Sequence, residues 1–171
     1  MNEAKTLELL QSEAARVRMT ELYGAGHVDE NISRYEELVK KFQENFGEKD
    51  ILMFSSPGRT EISGNHTDHN HGKVLAGSIN LDCVGIAAKN DSSKVNIISE
   101  TFNQKFTIDL NELQPSAKKA GTIDLVKGLL KGFQQSGYEV GGFDAYITSN
   151  VISSAGVSSS ASFEMLLCSM L

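Results

Sequence analysis

The sequence has no tryptophan, two prolines and two cysteines among its 171 residues. Cys83 and Cys168 lie far apart without metal-type spacing, so they read as buried reduced thiols, not as a disulfide framework or a zinc site. No basic tract occurs and the formal net charge is −6, which argues against nucleic acid as a partner. No apolar stretch reaches the length of a membrane span, so no membrane partner is expected. The first residues, Met1-Asn2-Glu3-Ala4-Lys5-Thr6, lack a basic segment followed by an apolar run. No signal peptide is therefore visible, and a cytoplasmic location is expected. There is no internal repeat and no low-complexity linker. What remains, at 40 % hydrophobic residues, is the profile of a globular protein large enough for one real core.

Hydrophobic periodicity divides the chain. Leu7–Leu22 mixes Leu7, Leu9, Leu10, Ala14, Val17 and Met19 with charges and predicts a helix. In Ser33–Phe46, Tyr35, Leu38, Val39, Phe42 and Phe46 recur at spacings of three and four, one apolar helical face. Ile51–Ser55 predicts a short strand leading into a turn at Pro57-Gly58. Val74–Ile79, Cys83–Lys89, Val95–Ser99 and Lys105–Ile108 read as further strands, with a turn at Asn90-Asp91-Ser92-Ser93. Ile123–Gln135 is a predicted helix, with Thr122 as N-cap and Gly137 just past its end. Phe143–Thr148 alternates as a half-buried strand, and a last apolar helix opens at about Ser158–Ser160. This pattern predicts an α+β domain over residues 49–171, preceded by a helical N-terminal extension over residues 1–48. The chain stops inside the apolar run Phe163–Leu171 with no glycine cap, basic last turn or proline, which reads as a piece of a longer protein.

Two segments carry chemistry. Between Gly58 and Gly72 the chain packs Arg59, Asn65, His66, Asp68, His69 and His71 among closely spaced glycines. So many groups that are costly to bury unpaired have no use in a core, and a solvated loop does not need such dense glycine. Arg59 suits a two-pronged contact with phosphate or carboxylate, and Asp68 suits two polyol hydroxyls. Asp68 bonding its own backbone in a turn is the competing reading. The spacing of His66, His69 and His71 matches no closed zinc pattern. Downstream, Ala155-Gly156-Val157-Ser158-Ser159-Ser160-Ala161-Ser162 connects a strand to a helix N-terminus. Unpaired N–H groups, the helix dipole and small side chains suit a phosphate there, and serine hydroxyls are hard oxygen ligands for Mg²⁺. On spacing alone, a small-residue helix with serine N-caps accounts for the same run. A Walker A loop is excluded because no Gly-Lys-Ser/Thr occurs at this run.

Taken together, Pro57-Gly58-Arg59-x-Glu61-Ile62-x-Gly64-Asn65-His66-Thr67-Asp68-His69-Asn70-x-Gly72-x-Val74-Leu75 and Ala155–Glu164 resemble the galactokinase signature and the phosphate-binding second motif of the GHMP kinases. The resemblance covers about Ile51 to Leu171. It implies an α+β, two-layer GHMP-kinase N-terminal domain, a mixed sheet with helices on one face. It also implies transfer of the ATP γ-phosphoryl group to the anomeric hydroxyl of galactose, with ATP and Mg²⁺. By position, Arg59 resembles the arginine that stabilises the transferring phosphoryl group. Asn65, His66, Thr67 and Asp68 occupy the sugar-binding tetrapeptide. Ser154, Ala155, Gly156, Val157, Ser158, Ser159 and Ser160 occupy the ATP phosphate loop, with Ser160 at the Mg²⁺-ligand position.

The chain departs from the family pattern at three positions. The family usually has Glu where Asn65 stands, so one charged acceptor for sugar hydroxyls is missing; Asn still accepts and donates, as a polyol requires. It often has Asn at Glu61 and Gly at Ser154. Its catalytic aspartate, Mg²⁺ glutamate and third motif are expected beyond Leu171, so these residues alone are expected to be inactive, or nearly so, and to self-associate through an uncovered face. A GHMP kinase acting on an amino sugar or small alcohol, and a non-enzymatic sugar and ATP sensor, are the alternatives.

Overall fold

Strand-forming, alternating segments between residues 52 and 149 build one five-stranded sheet in the computed structural model, which describes residues 1–64, 67–115, 121–152 and 156–171. The strands are β1 (Leu52–Ser63), β2 (Leu75–Lys89), β3 (Lys94–Ser99), β4 (Gln104–Asp109) and β5 (Phe143–Ser149), in the spatial order β1-β2-β5-β3-β4. Neighbours are antiparallel except β3 and β5, which run parallel, so the sheet is mixed. The helices are α1 (Glu3–Leu10), α2 (Glu13–Tyr23), α3 (Val28–Phe46), α4 (Gly121–Gln135) and α5 (Ser159–Met170). The class is α+β, as the element pattern predicts. Among the described residues no helix is long and apolar enough to cross a membrane.

The two-residue period of β2 and β5 sorts their side chains between two cores. Cys83, Ala87, Ala145 and Ile147 face one side, where Val126 and Leu130 of α4 and Phe163, Leu166 and Leu167 of α5 cover them. Val84, Ile86, Ala88 and Tyr146 face the other, beneath Leu10, Met19, Tyr23 and the α3 stripe Val28, Ile32, Tyr35, Leu38, Val39 and Phe42. The predicted apolar face of α3 is therefore the one buried, and the helix starts earlier than Ser33. Residues 52–171 form sheet plus helices on one face; the helices of the first 46 residues lie on the opposite face of β2 and β5.

Four local predictions differ from the structure. The segment Leu7–Leu22 is two helices. Ser12 interrupts it because its hydroxyl accepts the Ala15 N–H (3.2 Å) and caps α2. The two strands Val74–Ile79 and Cys83–Lys89 are one continuous β2. Pro57-Gly58 is not a turn: β1 runs through it to Ser63. Pro57 pairs with Asp82 and Arg59 with Ser78, so Gly58 alone stands opposite residues 79–81, and this irregularity accommodates a proline that cannot donate to the ladder. Thr122 lies inside α4, which already begins at Gly121. Gly137, with φ +85°, does follow the helix end as expected.

Both cysteines are free. Burial pushes the Cys83 thiol up to about 12 and raises that of Cys168, which makes them packing residues and not nucleophiles.

Asp144 on β5 is buried, and it is fully partnered. Lys49 pairs with it, while Asn90 Nδ2 (2.9 Å) and Asn96 Nδ2 (2.6 Å) donate to its Oδ1. Burial by itself would raise its pKa; the hydrogen bonds from Asn96, Lys49 and Asn90 outweigh that and lower it. A lowered folded-state pKa contributes stability above the ordinary carboxyl range that is lost as pH falls through the lowered value. Urea unfolding should therefore show the wild-type midpoint dropping below about pH 4, with a shallower drop for Asp144→Asn; parallel pH dependences would contradict this. Leu166→Ala, which opens a cavity where α5 meets the sheet, should lower stability by about 2–5 kcal/mol in the same assay.

Candidate active site

The irregularity at Gly58 places β1 against the segment that leads into α5. The Arg59 N–H donates to the Val157 carbonyl (3.0 Å), a hydrogen bond between residues nearly a hundred positions apart. A Cβ on Gly58 would stand 3.0 Å from that carbonyl oxygen and 3.1 Å from both Ile79 Cδ1 and Val151 Cγ1. Any larger residue at position 58 would crowd the two segments where they touch. The same contact holds Arg59 beside the small-residue loop, with its side chain exposed. Arg59 and Glu61, two apart in a regular stretch of β1, share one face of the strand.

Beyond β1 the polar connection turns back on itself around Thr67. The Thr67 N–H donates to the Gly64 carbonyl (3.1 Å), and the Thr67 carbonyl accepts from Asn70 (3.0 Å) and Gly72 (2.8 Å). Residues Asp68–Asn70 form a single 3-10 turn. A Cβ on Gly72 would meet Thr67 Oγ1 at 2.3 Å, so the second glycine lets the loop close on Thr67. Asn65 and His66 lie outside the described residues, and Asp68 is described in its backbone only. His69 and His71 are exposed, and His69 Nε2 lies 3.0 Å from Asn70 Nδ2.

The small-residue loop follows β5. Gly156 takes φ +73° and Ser158 the left-handed conformation (φ 64°, ψ 46°), and α5 begins at Ser159. Ser153, Ser154 and Ala155 lie outside the described residues. The Ser158 hydroxyl makes no capping bond, and the first intrahelical acceptor, the Ser158 carbonyl, takes the Ser162 N–H (2.9 Å). The N–H groups of Ser159, Ser160 and Ala161 therefore have no intrahelical partner. Beside them is a cleft of about 480 Å³, lined by Gly156, Ser158 and the α5 residues Ser159, Ser160 and Phe163 together with Phe102, Thr122 and Leu125. Among the described residues no group of three or more His, Cys, Asp or Glu could hold a metal ion. The donors present, serine hydroxyls and backbone N–H groups, fit phosphate oxygens and a cation that takes hard oxygen ligands.

Of the sequence-predicted site residues, Arg59 and Val157 are directly joined, and Gly156, Ser158, Ser159 and Ser160 share one cleft. Thr67 anchors the connecting turn by its backbone. Phe102, Thr122 and Leu125 were not foreseen as cleft residues. Phe102 did carry a signal, as a large apolar side chain, 39 % exposed, in the tight turn between β3 and β4.

Residues 40–89 match the family model described as the galactokinase galactose-binding signature. The chain is 37 % identical over 135 residues to the galactokinase of Clostridium tetani, covering 79 % of this chain and 34 % of that protein. With the galactokinase of Lactococcus lactis subsp. lactis it shares 38 % identity over 146 residues, 82 % of this chain and 36 % of the relative. The crystal structure of Lactococcus lactis galactokinase complexed with galactose superposes with a TM-score of 0.70 at 37 % identity, over 78 % of this chain and 35 % of that one. The mevalonate kinase of Methanococcus jannaschii, 18 % identical, shares the fold with a TM-score of 0.56 over 68 % of this chain and 38 % of its own. The chain spans about a third of the length of the curated relatives it matches. Over about four fifths of its length the chain is thus similar to about a third of these galactokinases, carries their galactose-binding signature over residues 40–89, and shares its fold with the mevalonate kinase.

Proposed function

We propose that the protein these residues belong to is a cytoplasmic galactokinase, transferring the γ-phosphoryl group of ATP to the anomeric hydroxyl of galactose. The observation that carries this reading is the hydrogen bond from Arg59 to Val157, which ties the sugar-signature strand to the serine loop. Phosphoryl transfer needs acceptor and donor in line, and such a contact supplies that closeness before any ligand arrives.

Each group then has a role. Asn65, His66, Thr67 and Asp68 hold the sugar. Ser154 to Ser160 cradle the ATP phosphates, chiefly through the N–H groups at the start of α5 that have no intrahelical partner. Ser160 offers its hydroxyl to Mg²⁺, which supplies charge neutralisation on the phosphates when bound. Arg59 faces the γ-phosphoryl group as its charge spreads over three oxygens, stabilising that charge more in the transition state than in the ground state. The sugar O1 forms the new bond to phosphorus, the bond to the bridging β–γ oxygen breaks, and the O1 proton leaves to a base. We place that base and the carboxylate that completes the Mg²⁺ shell outside these 171 residues, so the chain alone binds ligands without ordinary turnover. The functional domain is residues 49–171, with residues 1–48 as a helical extension.

Asn65 in place of a carboxylate should weaken sugar binding and not abolish it. With the full-length protein and Mg·ATP, ADP release should be seen with galactose and not with mevalonate or homoserine. Turnover with another of these substrates overturns the galactose assignment, and saturable galactose binding without turnover favours a sensor. Arg59→Ala should lower kcat by roughly 10²–10³-fold while leaving galactose affinity nearly unchanged. Gly58→Val should lower kcat and destabilise together, because the new side chain meets the Val157 carbonyl; a fully active Gly58→Val protein would show that the contact is dispensable.

A further inference from the structure

Asp82 is a buried carboxylate, 3 % exposed, in the middle of a strand, and nothing in the phosphoryl-transfer scheme uses it. Its oxygens collect groups from three elements and from the residue that follows β5. Arg34 Nη1 of α3 donates to Oδ1 (2.7 Å) and Nη2 to the Asp82 carbonyl (3.1 Å). The Tyr23 hydroxyl of α2 donates to Oδ2 (2.5 Å), and so does the Ser55 hydroxyl of β1 (2.5 Å). Tyr35 of α3 lies 2.9 Å from the Tyr23 hydroxyl. The Asn150 N–H, at the exit of β5, donates to the Asp82 carbonyl (3.0 Å). A core of this size does not need so many polar groups at one point. Replacing a buried ion pair by apolar residues is often neutral or stabilising, so stability is a weak reason to keep one.

The position of the cluster is what separates it from ordinary packing. Asp82 pairs with Pro57, the last residue of β1 before the irregularity that aims Arg59, and Ser55 stands two residues earlier on the same strand. Asn150 precedes Val151, whose side chain sits against the Gly58 backbone and leads into the serine loop. The carboxylate thus ties the helices of the first 46 residues to the base of β1, immediately before the strand reaches Arg59.

We propose that Asp82, held by Arg34 and Tyr23 and acting through Ser55, is a positioning residue that sets the aim of Arg59 in phosphoryl transfer. This rests on the kinase reading above. It gives the helical layer a part in the chemistry: α2 and α3 hold the strand that carries the phosphate-facing arginine. A displacement of the order of an ångström at such a group costs rate far more than binding.

The test is steady-state kinetics of the full-length protein with galactose and Mg·ATP, with thermal unfolding of every variant. Ser55→Ala removes only the link to β1 and leaves the charge pair intact. It should lower kcat by about tenfold or more, with KM for both substrates little changed and Tm near that of the parent. Asp82→Asn should lower kcat further. Where it fails to fold, Ser55→Ala and Tyr23→Phe carry the test. In an Arg59→Ala background, Ser55→Ala should cost almost nothing more, since the residue it positions is gone. Unchanged kcat in Ser55→Ala, or full additivity with Arg59→Ala, overturns the positioning role while leaving the kinase reading intact. Absence of turnover by the parent protein with any sugar overturns both.

Discussion

The hydrogen bond between the Arg59 N–H and the Val157 carbonyl is the constraint on which the candidate site depends. It is a backbone contact, so it does not rely on the placement of long side chains. It has β1 approach the loop closely, which glycine at position 58 accommodates, and it coincides with a break in the β1–β2 register. Those conditions are met within three consecutive residues, Pro57-Gly58-Arg59. The proline, which cannot donate to the ladder, the glycine, which leaves room, and the arginine, which supplies both the N–H and the cation, form one device.

Around this contact the sheet is stiffened from both sides. β5 and the Asp82–Ala88 half of β2 are buried on both faces, with α4 and α5 on one and α1 to α3 on the other. Two buried aspartates sit near the two ends of β5. Asp144, near Lys49 and the β2–β3 turn, is surrounded by amide and ammonium donors and ties the end remote from the serine loop. Asp82 lies nearer the site and draws its donors from two helices and β1. Each carboxylate is compensated by several hydrogen bonds, which is the condition under which a buried charge is tolerated.

Much of this was legible in the residues. The α3 stripe, the strands β3, β4 and β5 and the start of α5 follow from periods of 3.6 and 2, because single buried faces impose those periods. The split between α1 and α2 was missed, since Ser12 competes for the backbone through one hydroxyl and periodicity does not register that. The continuous β2 was missed because residues 80–82 carry a polar pair, Asn80 and Asp82, in what looked like a gap. Only tertiary partners, Arg34 and Tyr23 among them, make Asp82 acceptable in a buried strand. The two chemical segments were visible as segments. Their joining through Gly58 was not, because a contact between residues so far apart in sequence leaves no local pattern.

The most direct test of the central claim, that the sugar-signature turn and the serine loop form one site, is a structure of the full-length protein with galactose and a non-hydrolysable ATP analogue. The claim requires the phosphates at the start of α5, the sugar at residues 65–68, and the Arg59 guanidinium between them on the γ-phosphate. Nucleotide or sugar bound away from these segments, or an Arg59 side chain turned away from the phosphate, would contradict it.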